Sequence, residues 1–292
     1  MEGVMMRNAD KYAVAVRKTD GEIVVKTEEY KGIVQNKKIR SLPIIRGVFS
    51  FIDSMVLGMS TLTYSASFFM DDEEEEKDEK KESVMMGLTI ACSVVMAVAI
   101  FMILPYFLSQ LFRKFTDSTT LITLLEGAVR LVIFFGYILL ISRMKDIQRV
   151  FMYHGAEHKC INCIEHGMEL NVENVLKSSR LHKRCGTSFL FIVMIVSIIF
   201  FLFIRIESPI WRVVFRLLLI PVIAGVSFEF IRLAGKSENK LVILLSKPGM
   251  MLQKLTTREP DASMAEVAIA SVEAVFDWRA YLKENFGWQE KV

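Results

Sequence analysis

Four apolar runs, each about as long as a bilayer is thick, constrain the fold of this chain more than any other feature. They lie at about residues 84–112, 121–141, 187–204 and 213–231. About 20 residues of helix are needed to cross the hydrocarbon core, and helix satisfies the backbone hydrogen bonds that lipid cannot. We therefore predict a mainly α-helical, polytopic membrane protein with about four transmembrane helices.

The charged residues are separated from these runs. Of the 292 residues, 52% are hydrophobic and 24% are charged, with a net charge of +3. That separation predicts apolar spans joined to soluble segments, so the lipid bilayer is the first expected partner. Other membrane proteins are possible further partners. A small net charge, with no basic run interleaved with aromatic residues, disfavours nucleic-acid binding.

Lysine and arginine flank the spans unequally, which predicts an orientation in the cell membrane. The richer side includes both termini and the connector between the second and third runs, so we expect these to be cytoplasmic. Its basic residues are Lys80, Lys81, Arg143, Lys145, Arg149, Lys183, Arg184, Arg232, Lys236 and Lys240. The other side has Arg113, Lys114, Arg205 and Arg212.

Charged residues also occur inside the predicted spans. Glu126 and Arg130 are four residues apart, on one helical face, and charges at that depth usually face protein or water. A self-neutralising pair in the bundle is the favoured interpretation, and a polar path to a functional site is the alternative. Arg216 and Glu229 lie nearer span ends, where long side chains can reach the interface.

The soluble segments have their own patterns. In residues 1–40, the β-prone runs at 12–16 and 23–25 flank Thr19-Asp20-Gly21, which predicts a β-hairpin. Residues 234–292 are expected to form a helical cytoplasmic tail. Within it, Ser263 and Glu266 form a capping box for a helix at about 263–275, which we expect to pack against the hairpin.

Two segments between the hairpin and the first span are harder to assign. Residues 41–70 are largely apolar but include Arg46, Ser50 and Asp53 at helical spacing. The polar stripe favours an interfacial amphipathic helix, or a helix buried against the bundle, over a fifth span. Residues 71–82 form an acidic linker. The predicted order is completed by spans at 83–144, a connector at 145–186 and spans at 187–233.

Potential metal ligands are concentrated in that connector. All four histidines and three of the four cysteines fall between His154 and Cys185. On a helix, His154 and His158 project from one face with Glu157 beside them. This is the H-x-x-E-H order of inverted zinc peptidases, in which the glutamate activates a water molecule. Glu165, His182 and Cys185 are candidates for a third ligand, and a catalytic zinc also needs an open position.

Two other interpretations of the cluster remain open. The spacing Cys160-x-x-Cys163 followed by His182-x-x-Cys185 is close to that of a zinc ribbon or knuckle, which would be a closed structural site. Alternatively, no metal binds: His166 is then simply exposed, and Cys185 is a small buried residue at the start of a span.

Several stretches of the chain resemble the bacterial YqhQ-like family, multi-pass membrane proteins of unknown function described as predicted metal-dependent enzymes. They are residues 2–7 (EGVMMR), 46–48 (RGV), 153–159 (YHGAEHK), 182–187 (HKRCGT) and 255–260 (LTTREP). The family signature implies roles for His154, Glu157, His158, His182, Arg184 and Cys185, and it does not include Cys160. The resemblance therefore favours a histidine-based site over the cysteine-based one.

The leading functional expectation is a membrane-embedded, metal-dependent enzyme, possibly hydrolytic, with its site at the cytoplasmic face. His154 and His158 would bind a divalent metal, expected to be zinc, completed by His182, Cys185 or Glu165. Glu157 would be the general base, and Arg184 would hold an anionic substrate group. The alternative is a non-enzymatic scaffold or assembly factor, in which the cluster is a structural zinc site.

Overall fold

A small antiparallel sheet forms the N-terminal part of the computed structural model, which describes residues 2–69, 79–183, 185–204, 206, 208–235, 237 and 239–289. Its strands are β1 (Gly3–Asn8), β2 (Lys11–Arg17) and β3 (Ile23–Glu29), in the order β1-β2-β3. Gly21, with φ +91°, lies in the β2–β3 turn. The predicted hairpin is confirmed, and β1 is a strand that the periodicity did not reveal.

The rest of the described chain is helical. The helices are α1 (Lys37–Ser41), α2 (Ile45–Ser67), α3 (Glu79–Val98), α4 (Leu104–Gln110), α5 (Thr119–Ile141), α6 (Lys145–Glu165), α7 (Val172–Lys177), α8 (Gly186–Phe203), α9 (Pro209–Ala234), α10 (Lys240–Thr256), α11 (Ala262–Glu273) and α12 (Trp278–Phe286). A π-helical turn joins α3 to α4, and a 3₁₀ turn follows α4.

Five helical segments among the described residues are long and apolar enough to cross a membrane. Four match the predicted spans: Val84–Lys114, Thr119–Ile141, Gly186–Phe203 and Pro209–Ala234. The fifth is α2, Ile45–Ser67. A mainly helical chain with a small sheet is therefore confirmed, and length and composition give five helices that could cross a membrane where four were expected.

The chain divides into two compact units. The first comprises Met1–Met70, Ile141–Phe191 and Ala224–Val292, and the second comprises Asp71–Leu140 and Ile192–Ile223. The acidic linker predicted at 71–82 lies outside the described residues up to position 78, and residues 79–82 form the start of α3.

The sheet is central to the first unit, because β2 is buried on both of its faces. Ala15 joins an apolar core that includes Cys160 of α6 and Val267 of α11. On the opposite face, Val14 packs in a cluster with Leu57 of α2. The predicted packing of the C-terminal helix against the hairpin is therefore confirmed.

The predicted start of that C-terminal helix needs a correction. The N-cap of α11 is Asp261, whose side chain accepts a hydrogen bond from the Met264 backbone N–H at 2.9 Å. Ser263 is already inside the helix, and its hydroxyl donates to the Asp261 carboxylate at 2.6 Å. Aspartate binds an early helix N–H with its own carboxylate, so the cap does not need the Ser263–Glu266 box.

The second unit contains a buried charge cluster. Arg130 donates to Glu126 at 3.0 Å and to Ser197 at 2.9 Å, while Arg216 binds both Glu126 oxygens, at 2.5 and 2.9 Å. The Glu126–Arg130 pair is thus confirmed. Arg216 does not extend to a span end as expected, because the Glu126 carboxylate holds it in the interior.

Glu229, in the first unit, was also expected to reach the interface. Instead it forms a two-pronged ion pair with Arg46 near the start of α2. Close by, Gly47 meets Gly225 and Phe228, so that a Cβ on Gly47 would lie 3.0 Å from the Gly225 Cα. The α2 N-terminus is therefore held against the end of α9 by both charge and close backbone packing.

Candidate metal centre

Helix α6 has two chemically different faces, as its sequence spacing requires. Ala156, Cys160 and Cys163 recur at intervals of three and four residues and are fully buried in the core with α11. His154 and His158 recur at an interval of four on another face. The helix ends where Gly167 adopts a positive φ of 72°, which glycine accommodates without strain.

Three side chains converge on the histidine face. One ligand atom from each of His154, His158 and Cys185 lies within 4.8 Å of the others. The two imidazole ring centres are 4.4 Å apart, and His154 Nε2 is 3.2 Å from Cys185 Sγ. Ligand atoms at tetrahedral angles around zinc, at bond lengths of about 2.0–2.3 Å, would be separated by about 3.3–3.7 Å. The donor set and spacing fit a zinc-type ion with three protein ligands.

Backbone carbonyls hold both imidazoles in one tautomer. His154 Nδ1 lies 2.9 Å from the Thr256 carbonyl oxygen, and His158 Nδ1 lies 2.7 Å from that of Arg180. A carbonyl oxygen can only accept, so each Nδ1 carries the proton and donates it. Nε2 is then the ring nitrogen that a metal ion could bind, which is how metal-binding histidines are usually oriented.

Cys185 sits in an environment that favours its thiolate. Burial opposes the charge on the Cys185 thiolate, but hydrogen bonds from His154 and His158 and their charges lower the pKa of Cys185 to about 5. The Thr187 hydroxyl and backbone N–H lie 3.1 and 3.4 Å from the sulfur. The thiolate is the form of cysteine that binds metal.

Cys185 in turn raises the pKa of His154. Burial opposes its charged form, but the hydrogen bond and charge of Cys185, together with the charge of Glu157, raise the pKa of His154 to about 9. In the absence of metal, the two residues therefore form an imidazolium–thiolate pair at neutral pH. A cation binding here would take the place of one proton.

Glu157 is beside the convergent residues on α6 and lines a cavity of about 390 Å³ together with His154. Burial raises the pKa of the Glu157 carboxyl, and the charge of Cys185 adds to this, while the nearby histidines lower it. Within the part of the chain that the structure describes, no hydrogen bond to this carboxylate is recorded. A partly buried carboxylate facing a cavity can accept a proton from a molecule bound there.

His182 and Glu165, two other expected ligands, are bonded to each other. His182 Nε2 is 3.1 Å from a Glu165 carboxylate oxygen, and the His182 ring centre is 5.9 Å from that of His158. The His182 backbone exchanges hydrogen bonds of 2.9 and 2.7 Å with the buried Gln253 side chain. The pair borders the three convergent residues and does not join them.

Among the described residues, the four of the knuckle interpretation do not form a group of converging ligand atoms. Cys160 is fully buried in the apolar core, and burial raises its pKa well above the usual value. Cys163 contacts the Glu169 carbonyl at 3.3 Å, and burial raises its pKa to about 11. His166 is exposed at the end of α6. Arg184 lies outside the described residues.

Several residues that position the site had no recognisable signal in the α6 motif. The buried Lys159 amine donates to the carbonyl oxygens of Leu176 and Ser178, at 2.8 and 2.7 Å, and pairs with Glu259 at 2.9 Å. The Asn162 amide donates to the Ser179 carbonyl at 2.6 Å. These bonds fix residues 176–182 along α6, and that segment includes the carbonyl that orients His158.

A second segment crosses α6 at Gly155. The Arg258 backbone N–H donates to the Phe151 carbonyl at 2.9 Å, and a Cβ on Gly155 would lie 2.1 Å from the Arg258 carbonyl oxygen. Only glycine fits this approach. The crossing holds Thr256 where its carbonyl accepts from His154.

The N-terminal strand is tied to the same helix. Glu2 accepts two hydrogen bonds from Arg149, at 2.5 and 2.6 Å, and one from the Tyr153 hydroxyl at 2.8 Å. Each of the family-like stretches 2–7, 153–159, 182–187 and 255–260 thus supplies a residue that either forms the site or supports α6.

Comparison with known proteins identifies the family of this chain. Residues 42–278 match the family described as "Protein of unknown function (DUF1385)". The chain belongs to this family. Its DUF1385 region spans α2, α6 and the convergent residues.

A relative over nearly the whole chain is the "Uncharacterized protein YqhQ" of Bacillus subtilis (strain 168). The two are 36% identical over 296 residues, covering 98% of this chain and 93% of the relative. The resemblance to the YqhQ-like family is thus confirmed. No solved structure matches the chain.

Proposed function

We propose that this protein is a membrane-embedded metalloenzyme that hydrolyses its substrate at a site formed by His154, His158, Cys185 and Glu157. The observation that carries the proposal is the convergence of a ring nitrogen from each of two histidines and the Cys185 sulfur, beside a carboxylate that lines a cavity. Three protein ligands with an open fourth position are the arrangement of catalytic zinc sites.

A bound zinc ion would supply Lewis-acid chemistry, activating a water molecule and polarising a carbonyl group. The chain's own residues would transfer the proton and orient the metal ligands. Glu157 accepts the proton of the attacking water and returns it to the leaving group. The carbonyls of Thr256 and Arg180 hold His154 and His158 in the correct tautomer. The Glu165–His182 pair borders the site. Arg184 is a proposed anchor for an anionic substrate group.

The site is proposed to lie at the cytoplasmic face of the cell membrane, with both chain termini on that side. Four of the candidate spans would cross the bilayer, and α2 would lie in the interface. The support for this placement of α2 is that Asp53 accepts hydrogen bonds from Tyr30 and from the Ile33 backbone. A nitroxide probe at Met55 should report a shallow depth, and a mid-bilayer depth would contradict the placement.

Metal content and activity test the functional proposal together. Detergent-purified protein should contain about one zinc per chain by mass spectrometry. His154→Ala and Cys185→Ser should each lose it, and Cys160→Ala, a buried cysteine outside the site, is the matched control that should keep it. Glu157→Gln should keep the zinc but lose zinc-dependent hydrolysis of p-nitrophenyl acetate. Glu157→Gln protein with full hydrolytic activity would exclude the proposed base.

A structural metal site remains the second candidate, because the convergent residues join α6 to the chain segment before α8. In that case the protein would be a scaffold or assembly factor for other membrane proteins. The two candidates differ in how they respond to chelation. Removing an exchangeable catalytic zinc should shift the melting temperature by only a few degrees, whereas removing a structural zinc should lower it sharply.

A further inference from the structure

The cavity beside His154 and Glu157 has a mainly apolar wall. Strands β1 and β2 contribute Val4 and Val14, α2 contributes Leu62, and α6 contributes Phe151. Its volume of about 390 Å³ is within the range of about 300–1,000 Å³ typical of ligand sites. His154 and Glu157 supply polar groups, so one cavity combines an apolar wall with one of the three proposed metal ligands and the proposed base.

The helix that forms one wall also presents a separate apolar surface. The buried side of α2 carries Asp53, Leu57, Thr61 and Ser65, and Leu57 packs against the sheet. Its outward side carries Ile52, Met55, Val56, Met59 and Leu62, each 38% to 55% exposed. A helix with one polar, protein-facing side and one exposed apolar side is suited to lie among lipid chains.

Leu62 connects these two surfaces. It lines the cavity and is also 43% exposed on the apolar side of α2. Gly58, one turn earlier, also lines the cavity, and a Cβ built on it meets no atom within 4 Å. At Gly58 and Leu62, little side-chain volume therefore separates the cavity from the lipid-facing side of α2. A hydrocarbon chain could pass there from the lipid-facing side of α2 toward His154.

We infer that the cavity binds the hydrocarbon chain of a membrane lipid and presents the lipid's ester linkage to His154 and Glu157. This inference rests on the proposed hydrolytic function and assigns its substrate class. In the reaction, water adds to the acyl carbon and the bond between that carbon and the alcohol oxygen breaks. Glu157 takes a proton from the water and passes it to the departing oxygen, so that the products are a carboxylic acid and an alcohol.

Photolabelling tests chain binding without depending on catalysis. The full-length protein is reconstituted in phosphatidylcholine vesicles containing a phospholipid with a diazirine at the end of one acyl chain. Labels mapped by mass spectrometry should concentrate on 58–65 of α2 and 150–157 of α6. Gly58→Leu, which extends a side chain into the cavity, should reduce that labelling at least fivefold. Gly136→Leu is the matched control, because Gly136 on α5 also has no atom within 4 Å of a built Cβ.

Labels spread evenly over all lipid-facing helices, or unaffected by Gly58→Leu, would overturn the inference. Photolabelling of the cavity that is reduced by an excess of an apolar twelve-residue peptide, but not by an excess of unlabelled phospholipid, would also overturn the inference. That outcome would assign the cavity to a peptide substrate. Labelling that persists in the zinc-free His154→Ala variant would support chain binding even if hydrolysis fails. The two proposals can therefore fail separately.

Chain-length dependence provides a second readout on the zinc-loaded protein. Each buried methylene should improve kcat/KM by about fourfold until the cavity is filled, from about 0.8 kcal/mol per methylene. The ratio of kcat/KM for p-nitrophenyl octanoate to that for the acetate should fall at least tenfold in Gly58→Leu and stay constant in Gly136→Leu. Zinc-dependent acetate hydrolysis with no preference for longer chains would refute the lipid substrate while leaving the hydrolase intact.

Discussion

Replacing Gly155 with alanine tests whether the chain crossing over α6 positions the site. A Cβ at this position would lie 2.1 Å from the Arg258 carbonyl oxygen, whereas real Cβ contacts are essentially never closer than 3.0 Å. The segment must therefore move by at least about 0.9 Å, on the difference between those two distances. Arg258 is only two residues from Thr256, whose carbonyl fixes the His154 tautomer.

The expected cost follows from three contributions. Overpacking costs about 1–3 kcal/mol, weakening the hydrogen bond from Arg258 to Phe151 costs about 1 kcal/mol, and alanine regains about 0.5–1 kcal/mol of helix propensity. The net loss of stability is about 1–3.5 kcal/mol. Because the carbonyl that orients His154 moves with the segment, zinc affinity should also fall, by about 10- to 100-fold.

Thermal unfolding in detergent and chelator competition measure the two effects. Gly136→Ala is the matched control, because it is the same substitution inside a helix, with no atom within 4 Å of the new Cβ. The melting temperature of Gly155→Ala should fall by about 2–14 °C, from about 2–4 °C per kcal/mol, and that of Gly136→Ala should hardly change. If both variants kept full stability and zinc affinity, the chain crossing would have no part in positioning His154.

Three further predictions address the supports, the protonation and the interior charges. Lys159→Met should destabilise the protein by about 2–4 kcal/mol, because its carbonyl acceptors lose their donor; Lys177→Met, at an exposed ion pair, should change stability by less than about 0.5 kcal/mol in the same denaturation assay. Zinc affinity should rise about tenfold per pH unit between about pH 7 and 8.5, because zinc binding releases the proton held by His154, whose pKa is about 9. Cys185 has a pKa of about 5 and is already a thiolate in that range, so it releases no further proton. A pH-independent affinity in chelator competition would contradict this. Glu126→Gln should cost about 3–5 kcal/mol, since it leaves two buried arginines without a counter-charge, and unchanged thermal stability would show that the cluster is hydrated.

Local periodicity was sufficient to predict much of the fold. The apolar runs predicted four of the five candidate spans, and the turn at Gly21 predicted the hairpin. The strand at 3–8 was missed because its pairing with β2 is needed to recognise it. The ion-pair partner of Arg216 was missed for the same reason. The position of a residue within a span predicts its depth in the membrane but not its partner, and Glu126 is 90 residues away in sequence.

The candidate site could likewise be predicted only in part. Spacing on one helix placed His154, Glu157 and His158 together, and the same spacing puts Cys160 on a different face, where the core buries it. The carbonyls of Thr256 and Arg180 could not be predicted, because every residue carries a carbonyl and only the tertiary fold selects which one accepts. Gly155 carried a usable signal, since a glycine inside an otherwise regular helix often marks a close approach.

The identity of the atoms around the metal is the most direct test of the central claim. X-ray absorption at the zinc edge, on the zinc-loaded full-length protein, should find one sulfur at about 2.3 Å and two imidazole nitrogens at about 2.0–2.1 Å, with one further light ligand. Cys185→Ser should remove the sulfur, and Cys160→Ala should leave the spectrum unchanged. Three sulfurs around the zinc, or a zinc with none, would contradict the centre formed by His154, His158 and Cys185.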